Sequence, residues 1–266
     1  MHHFLQNTQY ISNTCRAIFF AFFLSITISP EAIASQPLEI TGFYKNLFIS
    51  SQSIDTQEDY FADINRLRLE FRKDVEPWQF FLSLDQEAII HDIEQRSELN
   101  FIRSKTQDNL ATIDGDIVST DTDHVYAKHS IYRAYAKYYS DNVQVVLGKQ
   151  AIDWGRMRFY SPMDLFNTLG PLDLERDYRI GIDAINATYA FDGFSGIDVV
   201  VAPHESADKG SYGARWYQQV GTYDTSIFGA MIKDTAVAGA SFDGYIKEAG
   251  FRGEAAYYED DNERTY

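Results

Sequence analysis

The chain reads as all-β: an antiparallel up-and-down transmembrane β-barrel, with about eleven strands present and incomplete, the N-terminal part of a larger barrel. Three observations predict this class. Apolar and charged residues alternate at period two in segment after segment. Aromatic rings gather near the ends of those segments. The connections alternate between short turns and long polar loops.

The first 34 residues stand apart from that pattern. Arg16 precedes an apolar run from Ala17 to Ile28, and Ala32-Ile33-Ala34 follows; this is the positive, apolar, small-residue order of a secretory signal peptide cleaved after Ala34. The run is too short to cross a bilayer as a helix. The only cysteine, Cys15, leaves with it, so residues 35–266, the barrel domain, carry no thiol and no disulfide framework. A formal net charge of −16 excludes nucleic acid as a natural partner, because phosphate binding needs a basic footprint.

The strands follow in order. After a first segment at about 40–49, "INRLRLEFRK" places Arg66, Arg68, Glu70 and Arg72 on one face and Leu67, Leu69 and Phe71 on the other. "WQFFLSLDQE" sets Trp78, Phe80, Leu82 and Leu84 against Gln79, Phe81, Ser83, Asp85 and Glu87. "IYRAYAKYY" sets Arg133, Tyr135 and Lys137 against Tyr132, Ala134, Ala136 and Tyr138. In "NVQVVLGKQ" the apolar row is Val143, Val145 and Leu147. Further segments lie at about 181–191, 195–202, 211–219, 222–232, 236–245 and 248–258.

One apolar face suits a soluble sandwich as well as a membrane barrel. Full charges at successive polar positions favour a wet lumen over a dry core. Rings near segment ends (Tyr44 and Phe48, Tyr138 and Tyr139, Tyr189 and Phe191, Tyr257 and Tyr258) resemble interfacial girdles. Short links at Asp74–Pro77, Ser140–Asn142, Asp192–Phe194 and Val220–Thr222 alternate with loops at about 50–60, 91–124, 153–179 and 203–210. That is the outer-membrane arrangement, with turns in the periplasm. Unpaired backbone amides in hydrocarbon cost several kcal/mol, so such strands must pair all round. Eleven crossings from the periplasm end outside the cell, whereas single-chain bacterial barrels have even strand numbers; with the charged tail "EDDNERTY", this predicts an open sheet or poorly matched first and last strands.

A loop as long as Asp153–Arg179 is uncommon unless functional. It carries Trp154, Arg156, Arg158, Asp164, Arg176 and Arg179, a mixture of rings and charges suited to a segment tucked into a lumen as a constriction. A surface loop stitched by salt bridges is the plainer alternative. The flanking sequence carries a resemblance. Gly148 to Gln150, Trp154-Gly155, Ser161 to Asn167, and then Arg179, Gly181, Asp183 and Ala184 resemble the strand–loop–strand segment of porin-like outer-membrane proteins of Gram-negative bacteria, a group including uncharacterised porins and relatives of alginate-export barrels. The resemblance is specific over about 45 residues. It implies an outer-membrane barrel and a channel, without naming what passes.

Other chemistries find little support. "LGKQ" lacks the first glycine and the Ser/Thr of a phosphate loop, and His204 has no second histidine one turn on. "GFSGI" is not a nucleophile elbow. His129 and Ser130 are strand neighbours pointing opposite ways; His91 and His129 flank the second long loop without a nucleophile partner. The aspartates of "DGDIVSTDTDH" are candidate oxygen ligands for Ca²⁺ or Mg²⁺, against the commoner reading of a solvated charge run.

The expected function is a porin-like channel for passive diffusion of polar or anionic small solutes or oligosaccharides, with no catalytic residue, metal or cofactor. Its pore-lining residues are Arg66, Arg68, Glu70, Arg72, Asp85, Glu87, Arg133 and Lys137. The alternative is a non-conducting barrel serving as anchor, adhesin or receptor through loops 91–124 and 153–179. Either implies outer-membrane lipid and lipopolysaccharide as surroundings and the barrel assembly machinery as inserting partner. A small polar solute is the cargo of the first, and an oligomer is compatible with both.

Overall fold

The computed structural model describes residues 36–53, 56–93, 99, 115–157, 161–166, 181–204 and 210–259. The signal-peptide expectation falls outside them. Of two units, Met1–Pro37 and Leu38–Tyr266, the second holds every described strand.

Twelve strands form: β1 Glu39–Gln52, β2 Asp59–Val75, β3 Trp78–His91, β4 Asp116–Asp121, β5 Val125–Tyr139, β6 Val143–Gln150, β7 Ile182–Ala190, β8 Ser195–Ala202, β9 Ser211–Val220, β10 Tyr223–Ile232, β11 Thr235–Ile246 and β12 Ala249–Glu259. They make one antiparallel sheet in the order β1-β2-β3-β5-β6-β7-β8-β9-β10-β11-β12, with β4 paired to β5 off that path. Each strand on the path neighbours the next along it, an up-and-down order. The sheet is not closed; β1 and β12 are its ends.

The eleven strands expected from the sequence are the eleven of the path. The count itself needs correction, because the loop at 91–124 contains β4. That strand lines up beside the upper part of β5, Ile117 opposite His129 and Val118 opposite Lys128, leaving β6 to pair only from Ala134 to Tyr139 of β5. Alternation over so few residues was too short to separate from loop sequence. The length pattern of the connections also stops at β10–β11, a tight turn at Lys233 and Asp234.

Because residues directly opposite share a face, the register assigns every side chain. Arg66 faces Glu87, Arg68 faces Asp85, Glu70 faces Ser83 and Arg72 faces Phe81. Leu67, Leu69, Leu82 and Leu84 take the other side. The same division runs to the far end: Asp198 opposes Arg215, Ser226 opposes Ser241 and Asp243 opposes Arg252, while Val199, Ala214, Ile227 and Ala240 lie behind.

Burial across the sheet is inverted relative to a water-soluble fold. Arg68 is 0% exposed, and Asp85, Glu87 and Lys128 are also buried. Val199, Ile227 and Tyr257, on the apolar face, are 43%, 54% and 70% exposed. Among the described residues no second layer covers that face.

Two details of facing differ from strict alternation. A β-bulge opposite Ser83 and Leu84 puts Tyr132, between Ile131 and Arg133, out of register with β3. Such a bulge re-aims a side chain, and the Tyr132 ring, expected on the apolar row, lies 3.4 Å from the Arg68 guanidinium carbon. In the pairs Tyr138–Tyr139 and Tyr257–Tyr258, neighbours point opposite ways. Tyr138 packs on Trp78 at 5.2 Å, whereas Tyr258 reaches the 153–179 loop through a hydrogen bond to Pro162 O. Only one ring of each pair belongs to the apolar face.

Candidate functional site

The polar face is built differently in its two halves. Across β2, β3 and β5 it is a ladder of ion pairs. Arg68 donates from Nε and Nη2 to the two carboxylate oxygens of Asp85, each at 2.6 Å. Arg66 donates to Glu87 Oε2 from Nη2 at 2.6 Å and from Nε at 3.2 Å. Bidentate arginine is the geometry that makes such pairs rigid. Further up, Lys128 holds Asp116 of β4 at 3.0 Å. Toward the β2–β3 turn, Arg72 lies 3.5 Å from Glu39 and is half exposed. Arg133 faces Ser83, and Lys137 faces Gln79. All eight residues named as pore-lining therefore lie on one face.

Above this ladder the same face becomes apolar. Ala62, Ile89, Ile93 and Leu99 form a buried cluster with Ile49, Tyr60, Ile64 and Tyr126 packed on it. On this face charge is confined to the middle and lower parts of β2 and β3.

Across β7 to β12 the polar face carries the segment that leaves β6. Gln150 ends that strand by donating its side-chain amide to Val146 O and Ala184 O, both at 2.9 Å. Ile152, Trp154, Met163, Leu165 and Phe166 then pack with Ile182, Ala184, Val200, Ala202, Phe228 and Val237 in one cluster. Trp154 meets Phe166 edge-on at 5.1 Å and Phe228 at 5.9 Å. A Cβ at Gly213 would lie 3.1 Å from the Trp154 ring, so glycine there lets the indole seat against β9.

Polar groups tie the segment down around that cluster. Asp198 accepts from Arg215 Nε at 3.0 Å and from Thr188 Oγ1 at 2.7 Å, and Arg215 Nη1 reaches Trp154 O at 3.4 Å. On β12, the Glu254 carboxylate accepts from the backbone N–H of Arg156 and from the Ser161 hydroxyl. Arg252 donates to Arg156 O at 3.2 Å, and the Tyr258 hydroxyl donates to Pro162 O at 2.8 Å. One segment thus spans from the end of β6 to the last strand.

Of the constriction residues named from the sequence, Trp154 is buried within the cluster and acts by packing. The Arg156 side chain is exposed while β12 grips its backbone; Asp164 is buried. Arg158, Arg176 and Arg179 lie outside the described residues. Sequence reasoning did not single out Asp198, Arg215, Arg252 or Glu254. A signal was present, since Arg252 and Glu254 are two apart in "FRGEAAYY" and share the polar row.

The aspartates of the 91–124 loop divide. Asp116 pairs with Lys128, Asp121 ends β4, and Asp114 lies outside the described residues. Among the described residues no group of three or more His, Asp or Glu stands where it would hold a metal ion. His129 and Ser130 occupy opposite faces, across from Gln86 and Asp85.

No family model and no curated protein matches the chain, so a functional reading rests on its own residues.

Proposed function

We propose that this chain forms the wall of a porin-like outer-membrane β-barrel, exported through the periplasm, that passes polar or anionic small solutes or oligosaccharides by passive diffusion. The observation that carries the reading is the inverted burial: Arg68, Asp85 and Glu87 are covered while Ile227, Val199 and Tyr257 are bare. In water a bare apolar face of that extent is a liability. In a bilayer it is the solvated surface, and a strand needs only about 9–11 tilted residues to cross.

Two further observations support it. Rings on the apolar face concentrate toward strand ends: Trp78, Tyr138, Tyr189, Phe191 and Phe251 at the short-turn end, Phe48 and Phe61 near the long loops. Between them lie Leu67, Leu69, Leu82, Leu84, Val199 and Ile227, interspersed with Tyr44, Gln86 and Trp216. Residues 151–157 and 161–166 pack on the polar face, where a segment inside a lumen would lie and would narrow it. Excess arginine and lysine across β2, β3 and β5 biases the passage toward anions. In this reading lipid and lipopolysaccharide cover the apolar face, and the barrel assembly machinery inserts the protein.

The test is single-channel recording with the purified protein refolded into planar bilayers. Stepwise conductance with an anion-selective reversal potential in a salt gradient is the expected result. Bilayer insertion without conductance favours instead the anchor or receptor reading, for which the apolar cluster of Ile152, Trp154, Met163, Leu165 and Phe166 supplies a reason: it fills the polar face of β7 to β11.

A further inference from the structure

One stretch of the apolar face is not apolar. Asn46, Asp63 and Asn65 share that face with Leu67 and Leu69, Asn46 directly opposite Asn65 and Phe48 opposite Asp63. Gln86 and His129 stand opposite each other on β3 and β5, and Gln86 also faces Leu67. Phe48 and Phe61, stacked at 6.1 Å, lie between this group and the long loops, while Leu67 and Leu69 lie below it. The polar residues therefore fall within the apolar band and not at its rim. Across β8 to β12 the middle of the same face is Val199, Ala214, Ile227, Ala240 and Ala255. Gln218 and Thr225, polar residues of that half, stand beside a short turn.

The β1–β2 part of the group is bonded internally. The Asn46 amide donates to Asp63 Oδ1 at 2.5 Å and to Asn65 Oδ1 at 3.0 Å, and the Tyr44 hydroxyl donates to Asn65 Oδ1. Both hydrogens of the Asn46 amide are thereby used. What β1 and β2 still turn outward is acceptor: Asn46 Oδ1 and the second carboxylate oxygen of Asp63. The β3–β5 part offers donors, the Gln86 amide and the His129 ring N–H, on two exposed side chains. Between the two parts lie Ala88, opposite Asn65, and Ala127, opposite Ala88. Lipid tails bond none of these groups, and polar side chains facing hydrocarbon are costly unless a partner meets them.

We infer that this patch is a dimer interface and that its occupant is a second copy of this chain. Copies in one membrane share its normal, so a two-fold axis along that normal sets each patch against its own image at the same depth. With the axis between β2 and β3, the acceptors on β1 and β2 of one copy meet the donors on β3 and β5 of the other, twice over. Ala88 and Ala127 let the two sheets approach closely, as small residues do at interfaces within membranes. A phosphate headgroup matches the patch poorly, because it needs donors where β1 and β2 present acceptors. The inference rests on the apolar face meeting lipid, as proposed above, and adds a partner to that reading; it does not require conduction.

The test is sedimentation of the purified protein in density-matched detergent micelles, joined to cross-linking in vesicles. The unaltered protein sediments as a dimer. Asp63→Leu combined with Asn65→Leu raises the dimer dissociation constant about tenfold, the loss of a hydrogen bond at each symmetric contact. Urea refolding of that variant is undiminished, since leucine suits a lipid-facing position. Ala88→Cys is captured as a dimer by a short bis-maleimide, and Ala214→Cys, on the apolar face of β9, is not. A monomer at every concentration, an unchanged dissociation constant in the double variant, or no capture at Ala88→Cys overturns the inference. Association that requires added lipopolysaccharide makes the lipid the occupant and overturns it too. Insertion into vesicles is scored separately: a protein that inserts as a monomer sinks the dimer alone, and one that stays out sinks the membrane reading beneath it.

Discussion

The two halves of the sheet turn the same apolar face outward and solve the opposite face in different ways. Across β2, β3 and β5 the polar side chains neutralise one another in cross-strand pairs, Arg68 with Asp85 and Arg66 with Glu87. Across β7 to β12 the polar row is shorter in reach, rich in Ser226, Ser241, Gly213 and Gly239, and a foreign segment lies on it. Small residues make room for Trp154 and Phe166; long charged ones would have expelled them. Whether a sheet face stays open or receives a loop is thus written in side-chain size along its strands. In the channel proposed above, the loop half is the side that narrows the way.

Substitutions in each half sharpen that contrast. Arg68→Ala leaves the buried Asp85 carboxylate with only the distant Arg66, at 4.0 Å, and costs about 3 kcal/mol, the largest effect expected, read as a lowered urea midpoint in refolding from lipid vesicles. If the loss is under about 1 kcal/mol, comparable to a surface pair, the ladder is solvated and its role in stability fails. Trp154→Ala removes the centre of the loop cluster at a cost of about 3 kcal/mol. Its distinctive readout is a larger and noisier single-channel current, because the freed segment no longer narrows the polar side; an unchanged current means the loop does not limit passage.

Val199→Arg asks what the shared apolar face touches. In a bilayer an arginine there costs about 2 kcal/mol or more, measured by the same refolding titration. In a water-facing sheet the same change is close to neutral, and that outcome ends the membrane reading for both halves. The smallest effect lies in the β7–β8 turn. Asp192 accepts the Phe194 N–H at 2.8 Å, and that bond, then the Ser195 hydroxyl, holds its carboxyl below the usual carboxylate range. A depressed carboxyl contributes stability that is complete above its unfolded pKa and is lost as pH falls through its folded pKa. Asp192→Ala therefore flattens the acid limb of the stability profile slightly and leaves neutral pH nearly unchanged.

Much of this could be read from residue order. Alternation in "INRLRLEFRK" placed Arg66 to Arg72 on one face because a strand admits no other arrangement. The loop 153–179 was recognisable from its length and composition. What alternation could not show was Tyr132, turned to the polar side by a one-residue bulge, or β4, whose six residues take their partner from a strand beyond the next turn. Glu254 was missed for a similar reason: it and Ser161 are 93 residues apart in the chain, and no local pattern links them.

The sequence by itself determined eleven of the twelve strands, their two unlike faces and the charge on one of them, since each follows from local period and residue type. Only the tertiary structure decided which charges pair, where the Trp154 segment lies and which strand holds it. Those depend on register and on contacts across the sheet, where a shift of one residue would exchange every side chain between the faces.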